Sequence, residues 1–136
     1  MNVCHALQQH GLRVTPQRVA VYEYLLTHPI HPSAETIYEA VVKQYPHFSR
    51  TTIYNSLHAL EEAGLLQVIA VKTGENRFDG NPAPHGHFRC TKCERVLDFP
   101  LTEAQIRAIT PDEMAEVQLD TVLFSGICQD CYQNKA

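Results

Sequence analysis

Four cysteines stand in two Cys-x-x-Cys pairs, Cys90/Cys93 and Cys128/Cys131, and this spacing restricts the folded chain more tightly than any other feature of it. Two intervening residues let both thiolates of a pair reach one ion at about 2.3 Å, and two pairs complete the closed tetrahedron that suits Zn2+. Such a site is structural, with one zinc per chain. Residues 94–127 separate the pairs, a longer interval than a minimal zinc ribbon uses, so a helix and strands must fold inside it. Two disulfides would use the same four residues in an oxidising compartment. No apolar leader opens the sequence and no apolar run approaches a membrane span, so the expectation is a cytoplasmic chain with reduced thiols and no membrane partner. Cys4 is left over, as a buried or idle thiol.

A chain of 136 residues that is 44% hydrophobic and lacks tryptophan allows one or two small domains rather than one large core. A structural metal and a subunit partner are the available sources of extra stability. The net charge of -4 counts against a nonspecific polyanion binder, so any nucleic-acid contact must be localised.

Capping chemistry marks helices along the first half. Thr15-Pro16 opens one with Val19, Tyr22, Leu25 and Leu26 on a face, stopped by His28-Pro29. Ser33 caps a second with Ile37, Tyr38, Val41 and Val42 toward the core, ended by Tyr45-Pro46. Ser49 caps a third, where Ile53, Leu57 and Leu60 recur at helical spacing and Gly64 supplies a left-handed terminus. Leu65 to Val71 then reads as a strand, Lys72 to Glu75 as a tight turn and Asn76 to Asp79 as the returning strand. This order predicts a winged helix-turn-helix over residues 1–80. Gly80 to Pro84 resembles a linker, with residues 81–84 as its centre. Beyond it, residues 85–136 read as an α/β unit: strands at His85–Cys90, Val96–Phe99 and Val117–Ile127, and a helix at Thr102–Ile109. The fold class is therefore α+β, and so short a second unit is expected to pair with a copy of itself.

The helix after Ser49 loads its first turns with Arg50, Thr51, Thr52, Tyr54 and Asn55. Arginine can address guanine edges, and hydroxyl and amide groups can reach phosphates or bases. The N-terminal end of a recognition helix is where base contacts are made. Arg13, Gln17 and Arg18 lie near the start of an earlier helix, where they suit phosphates. Histidines and aspartates gather around the first cysteine pair; His85 and His87, two apart on a strand, share a face. His5, His10, His28, His47 and His58 read as surface or helix-face residues.

Taken together, Gly11-Leu12-Arg13-Val14-Thr15-Pro16-Gln17-Arg18, His31-Pro32-Ser33-Ala34, the run from Ser49 to Gly64 and the paired cysteines resemble the ferric uptake regulator (Fur) family over nearly the whole chain. That resemblance implies a dimeric, metal-dependent transcriptional repressor, with an N-terminal winged helix on double-stranded palindromic DNA and a C-terminal dimerisation domain. It also implies a regulatory Fe2+ or Mn2+ site at His31, Asp79, His85, His87 and Asp98, which match in order the ligands of the peroxide-sensing (PerR) branch. The iron-sensing branch tends to carry glutamate at the positions of Asp79 and Asp98. His31 and His85 match the histidines that the branch oxidises when iron(II) meets hydrogen peroxide, with loss of DNA binding. A further site used by some members needs a histidine in the stretch that reads Val117-Gln118-Leu119-Asp120 here. Two rivals remain: an iron- or zinc-availability repressor with the same ligands, and a small non-haem metalloenzyme, since histidines and carboxylates with an open position also describe that class.

Overall fold

The computed structural model describes residues 2–69, 75–81, 83, 85–117, 119 and 121–134. The chain forms two compact units, Met1–Pro82 and Ala83–Ala136. Among the described residues no helix is long and apolar enough to cross a membrane.

The first unit opens with a helix not expected from the sequence, α1 (Val3–Gln9), whose N-terminus is capped by Asn2 accepting from the His5 amide. Its exit mirrors that of a later helix: Gly11 has φ +75°, with Gly11 N–H donating to Gln8 and Leu12 N–H to Leu7. Cys4 is a free thiol exposed on this helix rather than buried. Then follow α2 (Pro16–Thr27), α3 (Ala34–Gln44) and α4 (Arg50–Glu62), capped by Thr15, Ser33 and Ser49, each of whose hydroxyls accepts an amide of the first turn. The α4 exit has Gly64 at φ +79°, Gly64 N–H on Glu61 and Leu65 N–H on Leu60. This paired closure satisfies carbonyls that the helix end would otherwise leave bare.

The core joins Leu7, Val21, Leu25, Ile37, Val41, Ile53, Leu57 and Leu60. Of the apolar face expected on α2, Val19 and Leu26 are only partly buried, and Val21 takes the central place. Leu65 and Leu66 are also buried in this core, so the strand expected from Leu65 starts later, as β1 (Gln67–Ile69). The closing turn of α4 still holds Leu65, which delays the extended backbone. The returning strand is β2 (Arg77–Asp79), antiparallel to β1 with Gln67 opposite Asp79. The turn expected at Lys72 to Gly74 lies outside the described residues, as do Pro82 and Pro84 of the expected linker. Three helices followed by a two-stranded ribbon is the order expected of a winged helix-turn-helix.

The second unit is a three-stranded sheet in the order β4-β3-β5. Strand β3 (His85–Cys90) lies centrally, antiparallel to β4 (Val96–Pro100) and parallel to β5 (Leu123–Gly126). The long strand expected from Val117 to Ile127 is corrected to the four residues of β5. Its partner segment on β3, His87 to Cys90, offers a register of just that length, while Gln118 and Asp120 lie outside the described residues. Between β4 and β5 runs α5 (Glu103–Ile109), with a reciprocal capping box between Thr102 and Gln105. A short α6 (Gln129–Gln133), not expected from the sequence, ends the unit. Among its described residues the only buried apolar side chains are Cys90, Val96 and Cys128.

Candidate metal centres and nucleic-acid surface

The two cysteine pairs arrive from different structures. Cys90 and Cys93 flank a turn at the end of β3, closed by Glu94 N–H on the Cys90 carbonyl with Glu94 at φ +62°. Cys128 is the N-cap of α6, its Sγ accepting from the Cys131 amide. Thr91 holds the two segments together through its amide and hydroxyl, both donating to the Gly126 carbonyl, and an Arg95–Asp130 ion pair of 3.2 Å adds a second tie. The four Sγ atoms all lie within 4.8 Å of one another, and Cys93 and Cys128 are 3.9 Å apart. Zinc with 2.3 Å arms sets its sulfurs about 3.8 Å apart, so the cluster matches a tetrahedral ion. None of the four is in a disulfide.

Electrostatics within the cluster point the same way. Amide hydrogens of Cys93 and then Cys128 pull the Cys90 thiol down to about 5. Hydrogen bonding with Cys128, with burial adding to it, pushes the Cys131 thiol up to about 12. Crowded thiols that cannot all ionise together are the arrangement that a dication resolves, by displacing the remaining protons.

Among the described residues, histidine and aspartate side chains lie together in each unit. In the first unit, His31 Nε2 lies 3.6 Å from Asp79 Oδ2, and both residues are buried. The His31 backbone has φ +55°, a left-handed conformation uncommon outside glycine. Strand β2 holds it there: the Arg77 guanidinium donates to the His31 carbonyl at 3.1 Å, the Phe78 amide donates to Pro32, and Ser33 bridges to Arg77. In the second unit, His87 on β3 faces Asp98 on β4 directly in register, with Nδ1 2.9 Å from Oδ1. His85, two residues earlier, has its Nε2 3.5 Å from the same carboxylate oxygen. Its Nδ1 lies 2.6 Å from the Ala83 carbonyl; a carbonyl only accepts, so Nδ1 carries a proton, and Nε2 is the atom turned toward Asp98. A carbonyl that fixes the tautomer in this way is the usual second support of a metal-binding imidazole. Imidazole and carboxylate without thiolate suit Fe2+ or Mn2+ rather than a soft ion.

Between the two histidines of β3 sits Gly86, where a Cβ would overlap the Phe99 ring. Gly86→Ala should therefore destabilise the second unit by about 1–3 kcal/mol through overpacking. Chemical denaturation of the zinc-loaded protein measures it, and an unchanged midpoint would show that the ring yields freely.

Of the residues expected to meet DNA, Thr51, Tyr54 and Asn55 are exposed along α4. Gln17, Arg18, Thr52 and Asn55 line one notch of about 200 Å³ with Thr15 and Ser56. Arg18 donates back to the Arg13 carbonyl at 2.9 Å, and Arg13 itself is exposed. Arg50 differs from expectation in being engaged already: it forms a two-pronged pair with Glu35, at 3.1 and 2.7 Å. The hydrogen bond from Arg50 holds the Glu35 carboxyl below its ordinary range. His5, His10, His28, His47 and His58 are exposed.

The family model described as the ferric uptake regulator family matches residues 9–123. The chain belongs to the ferric uptake regulator family. It is 30% identical over 128 residues to the peroxide-responsive repressor PerR of Staphylococcus aureus, covering 93% of this chain and 86% of that protein. The ferric uptake regulator from Pseudomonas aeruginosa, solved with manganese, superposes with a TM-score of 0.77 at 25% identity, covering 95% and 99% of the two chains. The peroxide stress regulator of Campylobacter jejuni superposes with a TM-score of 0.68 at 27% identity, covering 96% and 100%. As a Fur-family protein the chain is a metal-responsive transcription regulator of mixed helix and sheet. Its four-cysteine cluster suits structural zinc and its histidine and aspartate groups suit a regulatory ion. Sequence reasoning missed two residues that matter within this Fur fold. Arg77 shares a strand face with Asp79 by the period of two, a signal that was available. Glu35 gave none, being an acidic residue in a helix first turn like many others.

Proposed function

We propose that this Fur-family chain is a cytoplasmic, homodimeric, metal-dependent repressor that senses hydrogen peroxide. In this reading residues 1–80 read DNA, residues 81–84 link, and residues 85–136 hold zinc and dimerise. Exposed Leu97, Ile109, Met114, Val117 and Phe124 in the second unit supply apolar surface for a second copy. One regulatory ion would be shared by His31 and Asp79, before the linker, and His85, His87 and Asp98, after it. The observation that carries this is the split of a thiolate-free donor set between the two units, in a chain similar to a peroxide-responsive repressor.

Shared ligation would fix how the two DNA-reading units of a dimer are spaced. Recognition helices must stand roughly 34 Å apart to enter successive major grooves of a palindrome. Ligands on both sides of a linker raise the fraction of chains in that pose, and the gain is capped by the preference of the ion for the closed arrangement. Arg13, Gln17 and Arg18 would meet phosphates; Arg50, Thr51, Thr52, Tyr54 and Asn55 would meet the groove.

When bound, iron(II) would supply activation of hydrogen peroxide beside the ligands. Either His31 or His85 then takes up one oxygen atom per peroxide: the ring gives up two electrons, a ring C–H becomes C=O as its hydrogen passes to a ring nitrogen, and the second peroxide oxygen leaves as water. Both ring nitrogens become amide-like N–H groups without a basic lone pair, so the residue stops ligating and the DNA-competent pose is lost. The test is DNA binding by zinc-replete protein with iron(II), before and after micromolar peroxide, followed by peptide mass analysis. Peroxide should release DNA and add one oxygen to peptides holding His31 or His85, while manganese(II) in place of iron(II) leaves them unmodified. Oxidation confined to cysteines would count against the reading. Release by metal depletion alone, with no response to peroxide, would point instead to a metal-availability repressor.

A further inference from the structure

Arg50 heads α4, whose outer face carries Thr51, Tyr54 and Asn55, yet one edge of its guanidinium is already taken. Nε and Nη2 donate to the two carboxylate oxygens of Glu35, at 3.1 and 2.7 Å. The guanidinium carbon also sits 4.5 Å from the centre of the Tyr38 ring. Glu35 and Tyr38 are three apart on α3 and so occupy one helix face. A long, mobile side chain is thereby held at an edge and across a plane, while its own side chain remains 59% exposed.

A guanidinium has two edges that can donate in pairs, Nε with Nη2 and Nη1 with Nη2. Glu35 takes the first; the second is not used by that pair, on a side chain that stays largely exposed near the start of the helix that also exposes Thr51, Tyr54 and Asn55. Paired N–H groups match the O6 and N7 acceptors of guanine in the major groove. Holding the side chain in advance also removes an ordering cost that a loose arginine would meet on binding. A carboxylate beside a DNA-reading helix repels phosphates, so Glu35 works against affinity in general and its benefit must lie in selectivity.

We infer that Glu35 is a positioning residue for sequence choice: with Tyr38 it presents Arg50 end-on, so that Arg50 selects one G·C pair in each half-site. The inference rests on the DNA-binding reading above. It assigns α3 a share in base selection that a helix merely crossing the backbone would not have.

The experiment uses full-length, zinc-replete, manganese-loaded protein and a palindrome selected from a random DNA library. Each half-site base pair is then exchanged symmetrically, and binding is measured for the wild type, Glu35→Gln, Arg50→Ala and the double variant. A good paired contact discriminates by about 5- to 150-fold. The wild type should show such a preference for G·C at one position per half-site, and Arg50→Ala should abolish it. Glu35→Gln should reduce that preference several-fold, keep the others, and hold or raise affinity for random DNA. The double variant should match Arg50→Ala. A selective wild type whose Glu35→Gln variant keeps the full preference, or weakens equally on every sequence, overturns the inference alone. If Arg50→Ala leaves all preferences unchanged, it is overturned too. A wild type that recovers no selective DNA overturns the DNA-binding reading together with it.

Discussion

Removing zinc from the second unit, or replacing Cys128 with serine, should unfold residues 83–136 as a whole. That unit has no apolar interior to fall back on, because two of its three buried apolar side chains among the described residues are themselves cysteines of the cluster. Its turns depend on the same atoms: Cys90 Sγ accepts the amides of Cys93 and Cys128, and Cys128 Sγ accepts that of Cys131. In domains this small, metal binding energy is folding energy, about 10–16 kcal/mol for structural zinc in isolated finger peptides. Part of that figure serves to bring the thiolates together, so the loss here will be smaller but well above what such a unit can spare. Hydrogen exchange before and after quantitative chelation is the measurement, with zinc content followed in parallel. Amides of β3 and β5 should lose protection by several orders of magnitude while those of α2 and α4 keep theirs. A zinc-free chain with β3 still protected would mean that some other contact carries the sheet.

The second large effect concerns Asp98. Its carboxylate meets both His87 and His85, yet the side chain is 43% exposed, so Asp98→Asn changes ligand chemistry with little threat to packing. The amide keeps the shape but loses the charge, and it ligates a hard dication poorly. On the proposed reading the variant should keep its zinc and its dimer but lose metal-dependent DNA affinity. A linkage of ordinary strength sets the loss at about 5- to 150-fold. Titrating DNA with wild type and variant at fixed manganese(II) gives the comparison. A variant that binds as tightly as the wild type, with the same dependence on manganese, would remove Asp98 from the regulatory site.

Local chemistry was the legible part of this chain. Thr15, Ser33 and Ser49 all cap helices where the sequence placed them, and Gly64 ends α4 with the backbone its lack of a Cβ permits. The cysteine spacing was equally readable, since each pair spans a single turn. Contacts between distant elements were not. Arg50 and Glu35 are fifteen residues apart, and no periodicity links the start of one helix to the start of another. The register that sets His87 against Asp98 depends on where β3 turns into β4, which the Cys90–Cys93 knuckle decides. Strand β5 looked longer than it is because alternation records which side chains suit a sheet, not where a partner strand is present to pair with them.

The loop that carries His31 is bound to the strand that carries Asp79 by the Arg77 guanidinium on the His31 carbonyl and by the Ser33–Arg77 bridge, to which the Phe78–Pro32 hydrogen bond belongs, so on the proposed reading these two donors form one jaw built on the wing. On that reading, anything that presses on the wing is felt by the jaw. Since a coupling between two binding events has a single magnitude in both directions, an operator seated against that wing would tighten the hold on the ion by the same factor that the ion tightens the hold on the operator. Repressors on their promoters would then be the last in the cell to give up their metal.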